Sequence, residues 1–138
     1  MSGVEPIWIE TVDALALHDR LLAFHGGSPG LRDEGLLQSA LARARQMLAY
    51  EERADLVKLA SALTAGIIRN HPFIDGNKRT GFVVGILFLE MNGFAFTASE
   101  EAAAEAVLAL AAGSLDEAGY SAFLRENVAR DGNPATQR

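Results

Sequence analysis

The stretch Phe82–Met91, FVVGILFLEM, is the longest apolar run in the chain. It is too short to cross a bilayer, which takes about 20 apolar residues in a helix, so it must be buried in protein. A helix that is apolar nearly all round its later turns belongs inside a bundle rather than on its surface. The spacing predicts that this helix runs from about Asn77 to Asn92, with Gly93 ending it. The rest of the chain must supply the walls around it.

Those walls read as helices by periodicity. After a short extended piece around Ile7–Glu10, Thr11 is expected to cap a helix with Leu15, Leu17, Leu21, Leu22 and Phe24 at its apolar positions, stopped at Gly26-Gly27. The following GGSPG is a turn-rich loop. Asp33 is the expected N-cap of a second helix, in which Leu36, Leu37, Ala40, Leu41, Ala44, Met47 and Leu48 recur at helical spacing. Asp55 starts a third, with Leu56, Leu59, Ala60, Leu63, Ile67 and Ile68 on its apolar side. It should end near Asn70, because the residue before Pro72 is pushed out of the α region. Phe94–Phe96 reads as a short extended link and Ser99 as the start of a fifth helix. Ser114-x-x-Glu117 has the capping-box pattern of a sixth helix ending near Val128.

The expected fold class is all-α, a compact bundle of about six helices around a central buried helix. With 138 residues, 49% of them hydrophobic, one domain over residues 1–130 has enough apolar surface for a single core. Residues 131–138, DGNPATQR, have nothing to bury and are expected to form a disordered tail.

Composition narrows function by exclusion. A formal charge of −6 argues against a sequence-independent grip on nucleic acid or on an anionic membrane, since a basic face carries such binding. The absence of cysteine removes disulfides, thiolate metal sites and thiol nucleophiles, and fits a reducing compartment. The N-terminal MSGVEPIWIE lacks the basic and apolar blocks of a signal peptide, so the cytoplasm is the expected location.

The chemistry concentrates in His71–Thr80, HPFIDGNKRT, on the loop that runs onto the N-terminus of the buried helix. The first turn of a helix presents unpaired N–H groups and the positive end of the dipole to an anion. Gly76 lets backbone come close, and Asn77, Lys78 and Arg79 add an amide, a point charge and a planar fork at the same place. Asp75 supplies the hard oxygen that Mg²⁺ prefers when it bridges a carboxylate and nucleotide phosphates. His71 is the side chain type able to take a hydroxyl proton at neutral pH. Each residue alone has a plainer reading. His71 suits a surface or helix end, Lys78 and Arg79 solvated charges, Asp75-Gly76 a turn and Asn77 a cap, while Phe73 is core in either case. Their meeting at one helix N-terminus points to transfer of part of a nucleotide.

His71-Pro72-Phe73-Ile74-Asp75-Gly76-Asn77-Lys78-Arg79 resembles the signature of the Fic/Doc superfamily, H-P-F-x-D/E-G-N-x-R. The upstream GGSPGLRDEGLLQSALARA and the downstream FLEMNGF resemble its death-on-curing (Doc) branch, so that the likeness covers roughly residues 8–128. The resemblance implies a small all-helical fold with a flap loop or short hairpin over the site. It also implies a toxin of a toxin–antitoxin pair. Carried over residue by residue, it makes His71 the general base toward a protein hydroxyl and Asp75 the Mg²⁺ ligand. Gly76, Asn77, Lys78 and Arg79 become the phosphate cradle for ATP, and His71, Asp75, Asn77, Lys78 and Arg79 the catalytic set.

Two departures from the adenylylating Fic form H-P-F-x-x-G-N-G-R-x-x-R decide between reactions. Lys78 stands where those enzymes carry glycine, and Phe82 where they carry a second arginine. The pose that exposes the α-phosphate is thereby disfavoured. The Doc branch, as the resemblance implies, binds ATP the other way round and transfers the γ-phosphate to a threonine of translation elongation factor Tu, stopping protein synthesis. The alternatives are a nucleotidyltransferase acting on a protein hydroxyl and a catalytically idle binding module.

By the same resemblance the loop Gly26–Arg32 is the flap that aligns the target, with Gly27, Ser28, Gly30 and Arg32 as positioning residues. Arg32 either reaches the site, or is a solvated or helix-capping arginine. Many Fic enzymes carry an inhibitory helix with the pattern S/T-x-x-x-E-G/N. The nearest match here, Ser121–Asn127, has one residue too many and reads as the last helix. Restraint must then come from a partner. The resemblance implies an antitoxin whose disordered segment folds as a helix into a groove of the toxin.

Overall fold

A computed structural model describes residues 5–51 and 53–131. Of the tail expected over residues 131–138, residues 132–138 lie outside the described residues, and Asp131 is tied back, its N–H donating to the Gly93 carbonyl at 2.7 Å. The elements run α1 (Thr11–His25), α2 (Glu34–Tyr50), α3 (Leu56–Asn70), α4 (Asn77–Met91), β1 (Phe94–Phe96), α5 (Glu100–Ala112), α6 (Glu117–Glu126) and β2 (Val128–Arg130). The fold class is the all-α bundle expected from the sequence. Among the described residues no helix is long and apolar enough to cross a membrane.

Three N-caps sit where their side chains predict. Asp33 accepts from the N–H of Leu36 at 3.0 Å, Asp55 from that of Lys58 at 2.9 Å and Ser99 from that of Ala102 at 3.1 Å. Two do not. Thr11 is the first residue inside α1, and Glu10 is the N-cap, with Asp13 Oδ2 accepting from the Glu10 N–H at 2.8 Å. The Ser114/Glu117 box is not formed. Gly113 ends α5 at a φ of 86°, and the Ser114 N–H turns back to the Ala109 carbonyl at 3.0 Å, so Ser114 belongs to the end of α5. Asp116 caps α6 instead, accepting from Gly119 N–H at 2.7 Å. Glu117 is left free to meet the guanidinium groups of Arg43 and Arg69.

The helix of the apolar run, α4, shares the centre with α3, which is buried at Val57 and without a break from Leu59 to Ile67. The two lie backbone to backbone because glycines line their contact. A Cβ on Gly85 would collide with Thr64 Oγ1 and stand 3.0 Å from the Ala60 carbonyl, and one on Gly81 would be 3.1 Å from the Thr64 carbonyl. Thr64 Oγ1 donates to the Gly81 carbonyl at 2.8 Å across this seam. Phe82, Ile86, Leu87 and Met91 of α4 are only partly buried, which is why its apolar girdle exceeds its place in the core.

The link Phe94–Phe96 is a strand. It pairs antiparallel with β2, Phe94 opposite Arg130 and Phe96 opposite Val128. At the other end of α4 the α1–α2 connection runs antiparallel to the α3–α4 connection. Leu31 lies opposite Phe73 in an isolated bridge, with Arg32 N–H donating to Pro72 O at 2.6 Å and Ile74 N–H to Gly30 O at 3.0 Å.

Candidate active site

The loop between α3 and α4 starts from an unusual backbone. His71 is the C-cap of α3 at φ 52° and ψ 54°, the only non-glycine with positive φ among the described residues. Its carbonyl accepts from Arg32 Nε at 2.7 Å, and Asn70 O accepts from Arg32 Nη2 at 2.9 Å. A cation on the last carbonyls of a helix also meets the negative end of its dipole. Of the readings open for Arg32, helix capping is the one the structure adopts. The imidazole of His71 remains exposed.

Phe73 is the plug that holds the loop down, 1% exposed. Asn77, 4% exposed, faces inward toward it. Its Oδ1 accepts from the Phe73 N–H and its Nδ2 donates to the Phe73 carbonyl, both at 2.9 Å. The side chain of Asn77 is thus engaged within the loop, and its backbone N–H is what it can offer an anion.

Sequence reasoning missed a residue here. His18 of α1, 3% exposed, stacks on Phe73 with ring centroids 3.8 Å apart and planes 7° from parallel. Its Nε2 lies 2.8 Å from the Asp75 carbonyl, an atom that only accepts, so Nε2 carries a proton. The available signal was position: His18 falls one helical turn after Ala14, the other buried residue of α1, on a stripe where a polar ring needs a partner.

Asp75 is exposed and fixed by backbone. Oδ2 accepts from Ser28 N–H at 3.0 Å and Oδ1 from Gly76 N–H at 2.8 Å. These two bonds, that from Ser28 first, hold its carboxyl below the ordinary value, and Lys78 nearby adds to the effect. Gly76, at φ 81°, is the N-cap of α4 and has no side chain to occupy the first N–H groups of the helix. His71, Asp75, Gly76, Asn77, Lys78 and Arg79 all line one cleft of about 530 Å³, with Ile68, Ile74 and Ala111 as its apolar walls. That volume suits a small-molecule site. Among the described residues neither Lys78 nor Arg79 is in an ion pair, whereas Arg43, Arg45, Lys58, Arg69 and Arg125 all are.

The flap residues meet the loop rather than the cleft. Ser28 holds Asp75, Gly30 accepts from Ile74, and Arg32 caps α3. Gly27, at φ 126°, passes so close that a Cβ would be 2.9 Å from Asp75 Oδ2. A second, apolar groove of about 460 Å³ lies between α4 and α5, floored by Phe82, Ile86, Phe96 and Val107 and bordered by the same Lys78 and Arg79.

No group of three His, Asp or Glu among the described residues is placed to hold a metal by itself. A lone exposed carboxylate fits Mg²⁺, which keeps waters and is commonly held by one or two carboxylates together with substrate phosphates. Asp75 would be that carboxylate. The cleft can therefore hold an anion at a helix N-terminus beside two cations, with a proton acceptor and a hard oxygen ligand within reach.

Comparison with known proteins finds a family match and two curated relatives. Residues 8–89 match the Fic/DOC family. The chain is 36% identical over 85 residues to the protein kinase doc of Escherichia phage P1, covering 62% of this chain and 68% of that one. It is 39% identical over 69 residues to the toxin Doc of Mycolicibacterium smegmatis, covering 49% of this chain and 53% of the relative.

Proposed function

From the premise that this chain belongs to the Fic/DOC family, in its Doc branch, we propose that it is a toxin acting as a protein kinase. In this reading it transfers the γ-phosphate of ATP to a threonine hydroxyl of a protein target, with translation elongation factor Tu as the expected target and translation arrest as the result. The observation that carries the reading is the convergence of His71, Asp75 and the uncapped start of α4, flanked by unpaired Lys78 and Arg79, on one cleft.

His71 takes the proton of the target hydroxyl as its oxygen bonds to the γ-phosphorus. The bond from that phosphorus to the β–γ bridging oxygen breaks, and ADP leaves. The first-turn N–H groups of α4 and the Lys78 ammonium neutralise the transferring group, which is most of what a protein contributes to this reaction. When bound through Asp75, Mg²⁺ would supply further charge neutralisation on the phosphates. Phe82 favours the γ-transfer orientation. It turns toward the apolar groove, edge-on to Phe96 with centroids 5.7 Å apart, and offers no charge to a triphosphate held the opposite way.

The partner is a cognate antitoxin, and the groove between α4 and α5 is our assignment for its helix. The apolar floor suits one face of an amphipathic helix. Because Lys78 and Arg79 border both groove and cleft, an acidic residue of that helix would cover the phosphate-binding cations. Target and co-substrate make the cytoplasm the working compartment.

The deciding experiment offers elongation factor Tu with ATP labelled at either the γ- or the α-phosphate. Label should pass from the γ-position only. Transfer of the α-label alone would make the protein a nucleotidyltransferase, and transfer of neither label by the free protein would leave a binding module.

A further inference from the structure

We propose that His18 is a positioning residue that locks the Asp75–Gly76 peptide in the orientation that keeps the cleft open to phosphate. The proposal rests on reading the cleft as a phosphate site. The peptide is held at both ends. Its carbonyl accepts from His18 Nε2 at 2.8 Å, and its N–H, that of Gly76, donates to Asp75 Oδ1 at 2.8 Å. Phe73 fixes the plane of the imidazole from below by stacking at 3.8 Å. Phe73 is itself tied to Asn77 through both of its backbone groups.

The lock has something to prevent. Glycine populates positive and negative φ about equally, so Gly76 by itself offers little resistance to rotation of this peptide. Rotated by half a turn, the Asp75 carbonyl oxygen would take the side now held by the Gly76 N–H, facing the Asp75 carboxylate. Asp75 and Gly76 both line the cleft, so an oxygen dipole would stand where an N–H now does. It would repel the carboxylate, loosen its bond to Ser28, and oppose an incoming phosphate. A buried donor on α1 aimed at that carbonyl makes the rotated state lose a hydrogen bond.

Three substitutions separate this role from simple packing. His18→Phe keeps the stacked ring and removes the donor, while His18→Gln keeps an N–H at similar reach. In the nucleotide-free protein, His18→Phe should speed amide exchange at Gly76 about tenfold, the ratio one hydrogen bond supports, and His18→Gln should restore it. Affinity for ATP should fall and recover in the same order, with thermal unfolding of both variants close to that of the parent. Unchanged Gly76 exchange in His18→Phe overturns the lock, and faster exchange with unchanged ATP affinity overturns its link to phosphate. Should His18→Phe fail to fold, His18→Asn, whose amide falls short of Asp75, decides by the same two readouts. A parent protein that binds no ATP would refute the kinase reading, while the exchange measurement would still decide the lock.

Discussion

Arg32 donates from Nε to the carbonyl of His71 at 2.7 Å while its Nη2 reaches the carbonyl of Asn70 at 2.9 Å. The backbone that carries the proposed base is therefore held from the flap, by a residue that does not line the cleft. The flap and the base are mechanically one unit.

Arg32→Ala should destabilise the fold by about 1 kcal/mol, below the usual range for charge-assisted hydrogen bonds because the guanidinium is exposed. It should slow phosphate transfer by about tenfold through misplacement of the imidazole, with ATP affinity unchanged. Denaturant titration and kcat against Kd for ATP check this. A parallel fall in affinity would mean that Arg32 acts on the phosphates instead.

His71→Ala and His71→Gly should both lose on the order of 10²–10⁴ in rate, the usual contribution of a general base. They should differ in stability. The left-handed backbone at this position costs a residue with a Cβ about 1 kcal/mol, so the glycine variant should unfold later than the alanine one. Equal midpoints would show that Arg32 and the loop already absorb the strain.

Asn77→Ala leaves the N–H and carbonyl of Phe73 buried without partners, at about 1–3 kcal/mol each before relaxation. The expected loss is about 2–4 kcal/mol, measured by urea unfolding. An Asn77→Ala protein that is as stable as the parent yet inactive would move Asn77 from holding the loop to touching the phosphates.

The Asp75 carboxyl is held below its ordinary value by the N–H groups of Ser28 and Gly76. For a lowered carboxyl the stabilising contribution is complete above the unfolded value, about 3.9, and disappears only as pH falls through the folded one. The tether between flap and loop should therefore survive acidification past that unfolded value. The Ser28 amide shift, followed by NMR against pH, should move with a midpoint under it, and a midpoint at or above it would contradict the assigned bonds.

The parts of this fold that could be read from sequence are those whose causes are local. Asp33, Asp55 and Ser99 cap helices because the acceptor and the N–H are three residues apart, and the cleft residues meet because they are contiguous in the chain. Misreadings arose where two local signals competed. Glu10 outranked Thr11, and Asp116 took the cap once Ser114 was drawn into the end of α5. Long-range relations left no such trace. The pairing of Phe94–Phe96 with Val128–Arg130, the stacking of His18 on Phe73 and the reach of Arg32 to His71 each join segments more than thirty residues apart. The burial of α3 beyond that of α4 follows from being surrounded by α2, α4 and α6, which periodicity within one helix cannot express.

The pairing of β2 with β1 also decides where material can be attached to this protein. The Asp131 N–H donates to Gly93 O at 2.7 Å, so the described chain finishes beside the C-terminal end of α4. The cleft is at the opposite end of that helix, whose 15 residues span about 22 Å at 1.5 Å each. A dye, affinity handle or solid support joined after residue 131 would begin its path on the far side of the molecule. Immobilised protein oriented in this way would present His71 and Lys78 outward to a soluble target.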